Sequence, residues 1–189
     1  MLKDATEYEA KLLNISVDNI VEKLTKIGAK KESSCLFRRY VLDTIPVSTN
    51  RWVRLRSDGL KTTLTVKEIH NNNIDGTDEW EVEVSDIDTC LTILEKIGIR
   101  PRGYQENTRI LYTLGRTEIA IDQWPGLEPY IEIEGPSKQD VVITAQKLGY
   151  SENELDARNT EHLYADIGID IKNIKELKFD EDITHLAKS

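Results

Sequence analysis

Cysteine is scarce in this 189-residue chain, with two in all. Cys35 and Cys90 form no Cys-x-x-Cys pair, which excludes a disulfide framework and a cysteine zinc site. Both are read as small buried hydrophobes. No uncharged apolar run approaches the ~18 residues of a membrane span. The first dozen residues, MLKDATEYEAKL, carry too much charge for a signal peptide, so the expected location is the cytoplasm and no membrane partner is expected. Positive charge is also in deficit: 25 Lys+Arg stand against 34 Asp+Glu, a net of −9. A broad phosphate-backbone footprint is out of keeping with that balance, so nucleic acid is not an expected partner. An anionic ligand would need a local basic cluster or a metal.

Hydrophobic residues make up 39% and charged residues 31%, the balance of a globular chain that buries its own core. No linker, low-complexity tract or charge block divides residues 1–189, which read as a single domain. Residues 6–13 alternate, with Glu7, Glu9 and Lys11 on one face and Tyr8, Ala10 and Leu12 on the other, the period of a half-buried strand. From Ser16 the period changes: Val17, Ile20, Val21, Leu24 and Ile27 lie at helical spacing, with Ser16 placed to cap and Gly28 to stop the helix. Strands are predicted over 37–42, 52–57, 61–68, 78–84, 108–114, 117–122 and 129–134, and helices over 88–97, from about Ser137 to Leu148, and over 159–167. Asp18, Leu24, Lys26, Ile27 and Gly28 recur 70 residues later as Asp88, Leu94, Lys96, Ile97 and Gly98, which suggests two related halves. Beyond Ile167 a polar tail is expected to pack only loosely.

Alternation places like-signed charges on one face of strand after strand: Arg54 with Arg56, Thr63 and Thr65 with Lys67, Glu79 with Glu81 and Glu83, Arg109, Asp122, and Glu132 with Glu134. The opposite faces are apolar. An antiparallel sheet with one side in water accommodates this pattern. So does a sheet closed on itself with the charged side inward and helices covering the outside. The density of Arg-x-Arg, Glu-x-Glu and Glu-x-Glu-x-Lys favours closure. Counting Glu7, Glu9 and Lys11, the inward set holds eight acids and five bases, a net of −3. Carboxylates two apart on a strand are hard oxygen ligands of the kind Mg²⁺ or Mn²⁺ takes, and Arg and Lys are phosphate donors. Such crowding makes sense if a divalent metal and a polyphosphate lie between them.

These residues resemble the CYTH superfamily, the triphosphate tunnel metalloenzymes that include class IV adenylate cyclases, thiamine triphosphatases and inorganic triphosphatases. The likeness begins with the Glu-x-Glu-x-Lys of Glu7, Glu9 and Lys11. It continues through residues 40–46, 52–56, 65–68, 79–83, Arg109 and the stretch 121–135, covering roughly residues 5–170. It implies an α+β fold built on a closed eight-stranded antiparallel β-barrel, a triphosphate tunnel with helices packed outside. Carried over by position, Glu7, Glu9, Asp122, Glu132 and Glu134 are metal ligands for Mg²⁺ or Mn²⁺, and Lys11, Arg54, Arg56, Lys67 and Arg109 bind the triphosphate. Lys11, Arg56 and Glu81 take catalytic roles, Glu81 facing the metal or the attacking water. The implied partner is a triphosphate-containing small molecule: inorganic triphosphate, thiamine triphosphate or ATP. Exposed helix surfaces leave room for a homodimer.

The likeness also has a gap. Where bacterial class IV cyclases carry a His-Phe pair, this chain has Cys35-Leu36-Phe37-Arg38-Arg39. Hydrolysis of inorganic or small organic triphosphates is therefore the expected reaction, with conversion of ATP to cyclic AMP as the alternative. A non-catalytic polyphosphate-binding module is the third reading, disfavoured because all four candidate ligand glutamates are present. His70, His162 and His185 fall outside the charged strands.

Overall fold

The computed structural model describes residues 5–180. Its strands are β1 (Thr6–Leu12), β2 (Lys30–Asp43), β3 (Arg51–Ser57), β4 (Thr62–Ile69), β5 (Thr77–Val84), β6 (Pro101–Leu114), β7 (Thr117–Gln123), β8 (Tyr130–Gly135) and β9 (Glu176–Leu177). The helices are α1 (Val17–Lys26), α2 (Ile87–Lys96), α3 (Lys138–Lys147) and α4 (Thr160–Asp166). The strand order β2-β3-β4-β5-β1-β8-β7-β6 returns to β2 through a β2–β6 pairing, so eight antiparallel strands close a barrel. The short β9 lies parallel to β6 at Tyr104 and Gln105.

Closure follows from the two-faced strands. Ala10, Leu12, Ile119, Ile121, Ile131 and Ile133 point outward into one core with Ile20 and Leu24 of α1 and Val141 and Ala145 of α3. Leu42, Val53 and Leu55 meet Leu94 of α2 in another. Gly28 and Gly98, the two recurring helix stops, adopt φ of 78° and 94°, a left-handed conformation that a side chain would strain. Asp86 and Ser137 cap α2 and α3 by accepting from the backbone N–H of Thr89 and Asp140. Ser16 stands at the start of α1 but makes no side-chain cap bond.

Four expectations are corrected. β2 and β6 each run 14 residues and begin well before the alternating segments, at Lys30 and Pro101, because each borrows its partner's hydrogen bonds along nearly its whole length. The segment after α4 is no loose tail: Ile169, Ile171 and Leu177 are buried with Leu163 and Tyr164 of α4 against Trp124 and Tyr130, laying α4 across one end of the barrel. Both cysteines are half-buried, with Cys35 Sγ 4.0 Å from the carbonyl oxygen of Arg109. The outer apolar face is also not covered everywhere: on β5 Trp80 is 43% and Val82 57% exposed. His70 pairs with Asp78 at the surface, 2.9 Å away, and His162 lies on α4; His185 lies outside the described residues. Among the described residues no helix is long and apolar enough to cross a membrane.

Candidate active site in the barrel interior

The inward faces enclose a cavity of about 580 Å³. Register fixes who meets whom. Across β1 and β8, Glu9 faces Glu134 and Lys11 faces Glu132. Across β6 and β7, Arg109 faces Asp122, and across β4 and β5, Thr65 faces Glu81 and Lys67 faces Glu79. Every residue named above for metal or triphosphate lines this one cavity.

One part of the wall is matched, charge for charge. Arg109 donates from Nε to Asp122 Oδ1 at 2.8 Å, and from Nη2 to Asp122 Oδ2 at 2.5 Å and Glu132 Oε1 at 2.8 Å. Asp122, 1% exposed, also accepts from Asn107 at 3.2 Å, so both of its oxygens are engaged and it is the anchor of Arg109. Lys11 Nζ lies 3.2 Å from Glu132 and 3.5 Å from Glu9. Burial works against the charges on Lys11 and Arg109, but Glu9 and Glu132 hold the first, and Asp122 and Glu132 the second, above their ordinary ranges. Burial likewise opposes ionisation of Glu132, yet Lys11 and Arg109 hold it well below the usual carboxylate range.

A second part has more acid than base. Lys67 Nζ is shared by Glu79 at 2.6 Å, Glu7 at 2.7 Å and Glu9 at 3.9 Å. Burial opposes the ionisation of Glu79, but Lys67 and Arg54 bring it down to about 2. Glu7 goes the other way: burial pushes it up to about 9 against the pull of Lys67, with Glu9, Glu79 and Glu134 adding to the rise. Glu134 stands at an open mouth and makes no ion pair among the described residues; desolvation of its carboxyl and the nearby Glu9 push it up to about 7. No three carboxylate, imidazole or thiol groups of the described residues are drawn together at metal-ligand spacing. The donor chemistry nevertheless fits a hard divalent ion, because Glu7, Glu9 and Glu134 set three hard carboxyl groups against the single ammonium of Lys67, and Glu7 and Glu134 hold protons that a cation would displace.

A third part has more base than acid. Arg54 reaches Glu79 at 3.1 Å and Glu81 at 3.3 Å, and Glu81 also accepts from Thr65 Oγ1 at 2.8 Å. Among the described residues Arg56 pairs only with Glu81, 3.8 Å away, and stacks over Phe37 at 4.5 Å. Burial, with Arg54 and Arg109 close by, pushes it down to about 10. Glu83 turns away, exposed and paired with Lys61 at 3.3 Å. The sequence reading missed Arg39, 7% exposed on the inner face of β2. Arg38-Arg39 sits where both faces of β2 mix apolar and basic residues, which hides the alternation. Only its pairing in the fold, which sets Arg39 directly opposite Arg56 of the Arg-x-Arg strand, places it on this wall.

A model of the CYTH domain matches residues 5–159. No curated protein sequence matches the chain. Among solved structures, the PH1012 protein from Pyrococcus horikoshii OT3 is 19% identical with a TM-score of 0.70, over 81% of this chain and 96% of its own. A proposed adenylate cyclase from Vibrio parahaemolyticus is 16% identical with a TM-score of 0.72, over 86% and 99%. HpAC1 from Hippeastrum, a proposed adenylyl cyclase for which a dominant triphosphatase activity is stated, is 16% identical with a TM-score of 0.56, over 84% and 94%.

Proposed function

The chain belongs to the CYTH domain family, and on that premise we propose that it is a metal-dependent enzyme that hydrolyses inorganic or small organic triphosphates inside the barrel. One observation carries this reading: the wall of a single cavity has unmatched acid on one side and unmatched guanidinium on the other, which is the complement of a divalent cation bound to a polyphosphate.

Glu7, Glu9 and Glu134 would hold Mg²⁺ or Mn²⁺, which when bound supplies charge neutralisation to the phosphate oxygens. Lys11, Lys67, Arg54, Arg56 and Arg109 grip the chain, and the last is held in position by Asp122 and Glu132 through a bidentate pair that fixes the plane of its guanidinium. Glu81, anchored by Thr65 and Arg54, orients water toward the terminal phosphorus and takes its proton. As the water oxygen bonds to phosphorus, the bond to the bridging oxygen breaks and the leaving group departs with the electron pair, pyrophosphate from inorganic triphosphate and the organic diphosphate from an organic one. Lys11 and Arg56 stabilise the charge that builds on it.

The test is incubation with inorganic triphosphate, thiamine triphosphate and ATP, each with Mg²⁺ and with Mn²⁺, reading phosphate, pyrophosphate and cyclic AMP. Phosphate release from inorganic triphosphate is expected to outrun cyclic AMP formation from ATP by about tenfold or more, which is ~1.4 kcal/mol of transition-state preference. That choice of reaction rests on Cys35-Leu36-Phe37-Arg38-Arg39 standing where the bacterial cyclases carry His-Phe. Dominant cyclic AMP would replace hydrolase by cyclase, and saturable binding without turnover would leave a binding module.

A further inference from the structure

Besides Arg54 Nε, four hydrogen-bonding groups at the basic side of the barrel are buried with no partner among the described residues: Arg39 Nε, Arg56 Nε and Trp124 Nε1, whose residues line the cavity, and Thr63 Oγ1 beside them. Three of them form a single row across adjacent strands, since Arg39 of β2 is the direct partner of Arg56 of β3, and Arg56 is the direct partner of Thr63 of β4. The fourth joins from the next wall, because the Arg39 guanidinium lies 4.5 Å over the Trp124 ring. Like charges placed directly opposite one another across two strands repel, and a buried guanidinium without an anion is costly to desolvate.

The row has no acid of its own. Glu83, which the register sets beside Thr63, is turned out to Lys61, and the nearest carboxylate to Arg56 is Glu81 at 3.8 Å. Arg39 makes no ion pair among the described residues; of its five N–H donors one is accepted, by Asn107 Oδ1. Arg54 and Arg109, by contrast, each hold two carboxylates. Burial and the neighbouring Arg56, Arg54 and Arg109 together press the Arg39 guanidinium well below its ordinary range.

We propose that Arg39, Arg56, Thr63 and Trp124 form one phosphoryl-binding subsite of the tunnel, in which the two guanidiniums clamp a single phosphate group while the Thr63 hydroxyl and the Trp124 indole donate to its remaining oxygens. The proposal rests on the triphosphate reading of the cavity and adds three residues to its grip. Arg39 is set by Asn107 beneath one nitrogen and by the Trp124 ring beneath its plane, an arrangement that holds the fork open toward the cavity.

The experiment is calorimetric titration of the full chain, in Mg²⁺, with the non-hydrolysable imido analogue of inorganic triphosphate, alongside thermal unfolding without ligand. Arg39→Gln keeps a group that can reach Asn107 and removes the charge: affinity should fall tenfold or more while the ligand-free Tm holds or rises. Arg39→Lys should recover part of the loss. Thr63→Val, which preserves shape, and Trp124→Phe, which keeps an aromatic face and removes the indole N–H, should each weaken binding about threefold, and they decide the matter even if Arg39→Gln fails to fold. Wild-type affinity in Thr63→Val and Trp124→Phe, or in Arg39→Gln while Arg56→Met loses binding, would overturn the subsite and leave the parent reading standing. Absence of binding by the wild-type protein would overturn the parent reading itself.

Discussion

The wall around Arg109 and the wall around Arg39 each centre on an inward-facing arginine and treat its charge in opposite ways. Arg109 is locked between Asp122 and Glu132 at 2.5 to 2.8 Å, while Arg39 has a neutral amide and an aromatic ring and, among the described residues, no carboxylate. The first is finished without a ligand. The second is finished only with one. Inside one barrel, then, counting charges says little about what a cation is for; whether its partners are already on the wall says more.

The sharpest way to break this comparison is Arg109→Met. Removing the centre of a matched network leaves Asp122 buried with only the Asn107 amide and Glu132 with Lys11 as its one remaining ion-pair partner among the described residues, a change that costs about 3–5 kcal/mol of stability. A Tm equal to wild type would mean that the network is not structural. Next in size are Glu7→Ala, Glu9→Ala and Glu134→Ala, each expected to lower turnover by 10²-fold or more, on the order of 3 kcal/mol in the barrier, with native-like far-ultraviolet circular dichroism. Wild-type turnover in all three at limiting metal would remove the acidic face from the mechanism.

The surplus acid also sets a pH dependence. Glu7 and Glu134 have folded values near 9 and 7 against an ordinary 4.5, so above 4.5 the folded protein holds protons that the unfolded chain releases. The contribution of these two groups to stability is therefore complete below 4.5 and is lost as pH rises through the folded values. Metal-free Tm should decline from about pH 5 to about pH 9, the decline should flatten in a Glu7→Gln, Glu134→Gln double variant, and Mg²⁺ should restore more at pH 8.5 than at pH 6. A metal-free Tm that rises across that range would contradict it. Arg56→Met tests the unmatched side: triphosphate affinity falls tenfold or more while the ligand-free Tm holds or rises, because the wall loses a repelling cation. Smallest of all is Glu83→Gln, at an exposed pair with Lys61, which should leave Tm and turnover within error of wild type.

Much of this was legible in the chain. Period-two alternation in Glu7 to Leu12, Trp52 to Ser57 and Thr62 to Ile69 made the inward set readable, because a strand buried on one side and wet on the other must write both faces into its sequence. What could not be read is pairing. Asp122 shares a face with the glutamates, and only the β6–β7 register turns it onto Arg109. Glu83 continues the pattern of Glu79 and Glu81 and still leaves the cavity, because the strand carries it out to Lys61. Trp124 reads as a turn residue after β7, and its place under Arg39 depends on strands far apart in sequence. The segment from Ile169 to Leu177 has too short a pattern to show that α4 folds it back over the barrel end.

The one-in, one-out placement of Glu7, Glu9 and Lys11 along β1, held by the pairing with Glu132 and Glu134, makes this strand sensitive to parity more than to length. Deleting the single codon for Tyr8 would move Glu7 into the outward place that Tyr8 leaves while Glu9 and Lys11 stay opposite Glu134 and Glu132, whereas deleting Tyr8 and Glu9 together would set Glu7 where Glu9 faced the cavity. In genetic terms β1 is a stretch where an odd in-frame deletion behaves as a null allele and an even one leaves a recognisable, shortened version of the same wall.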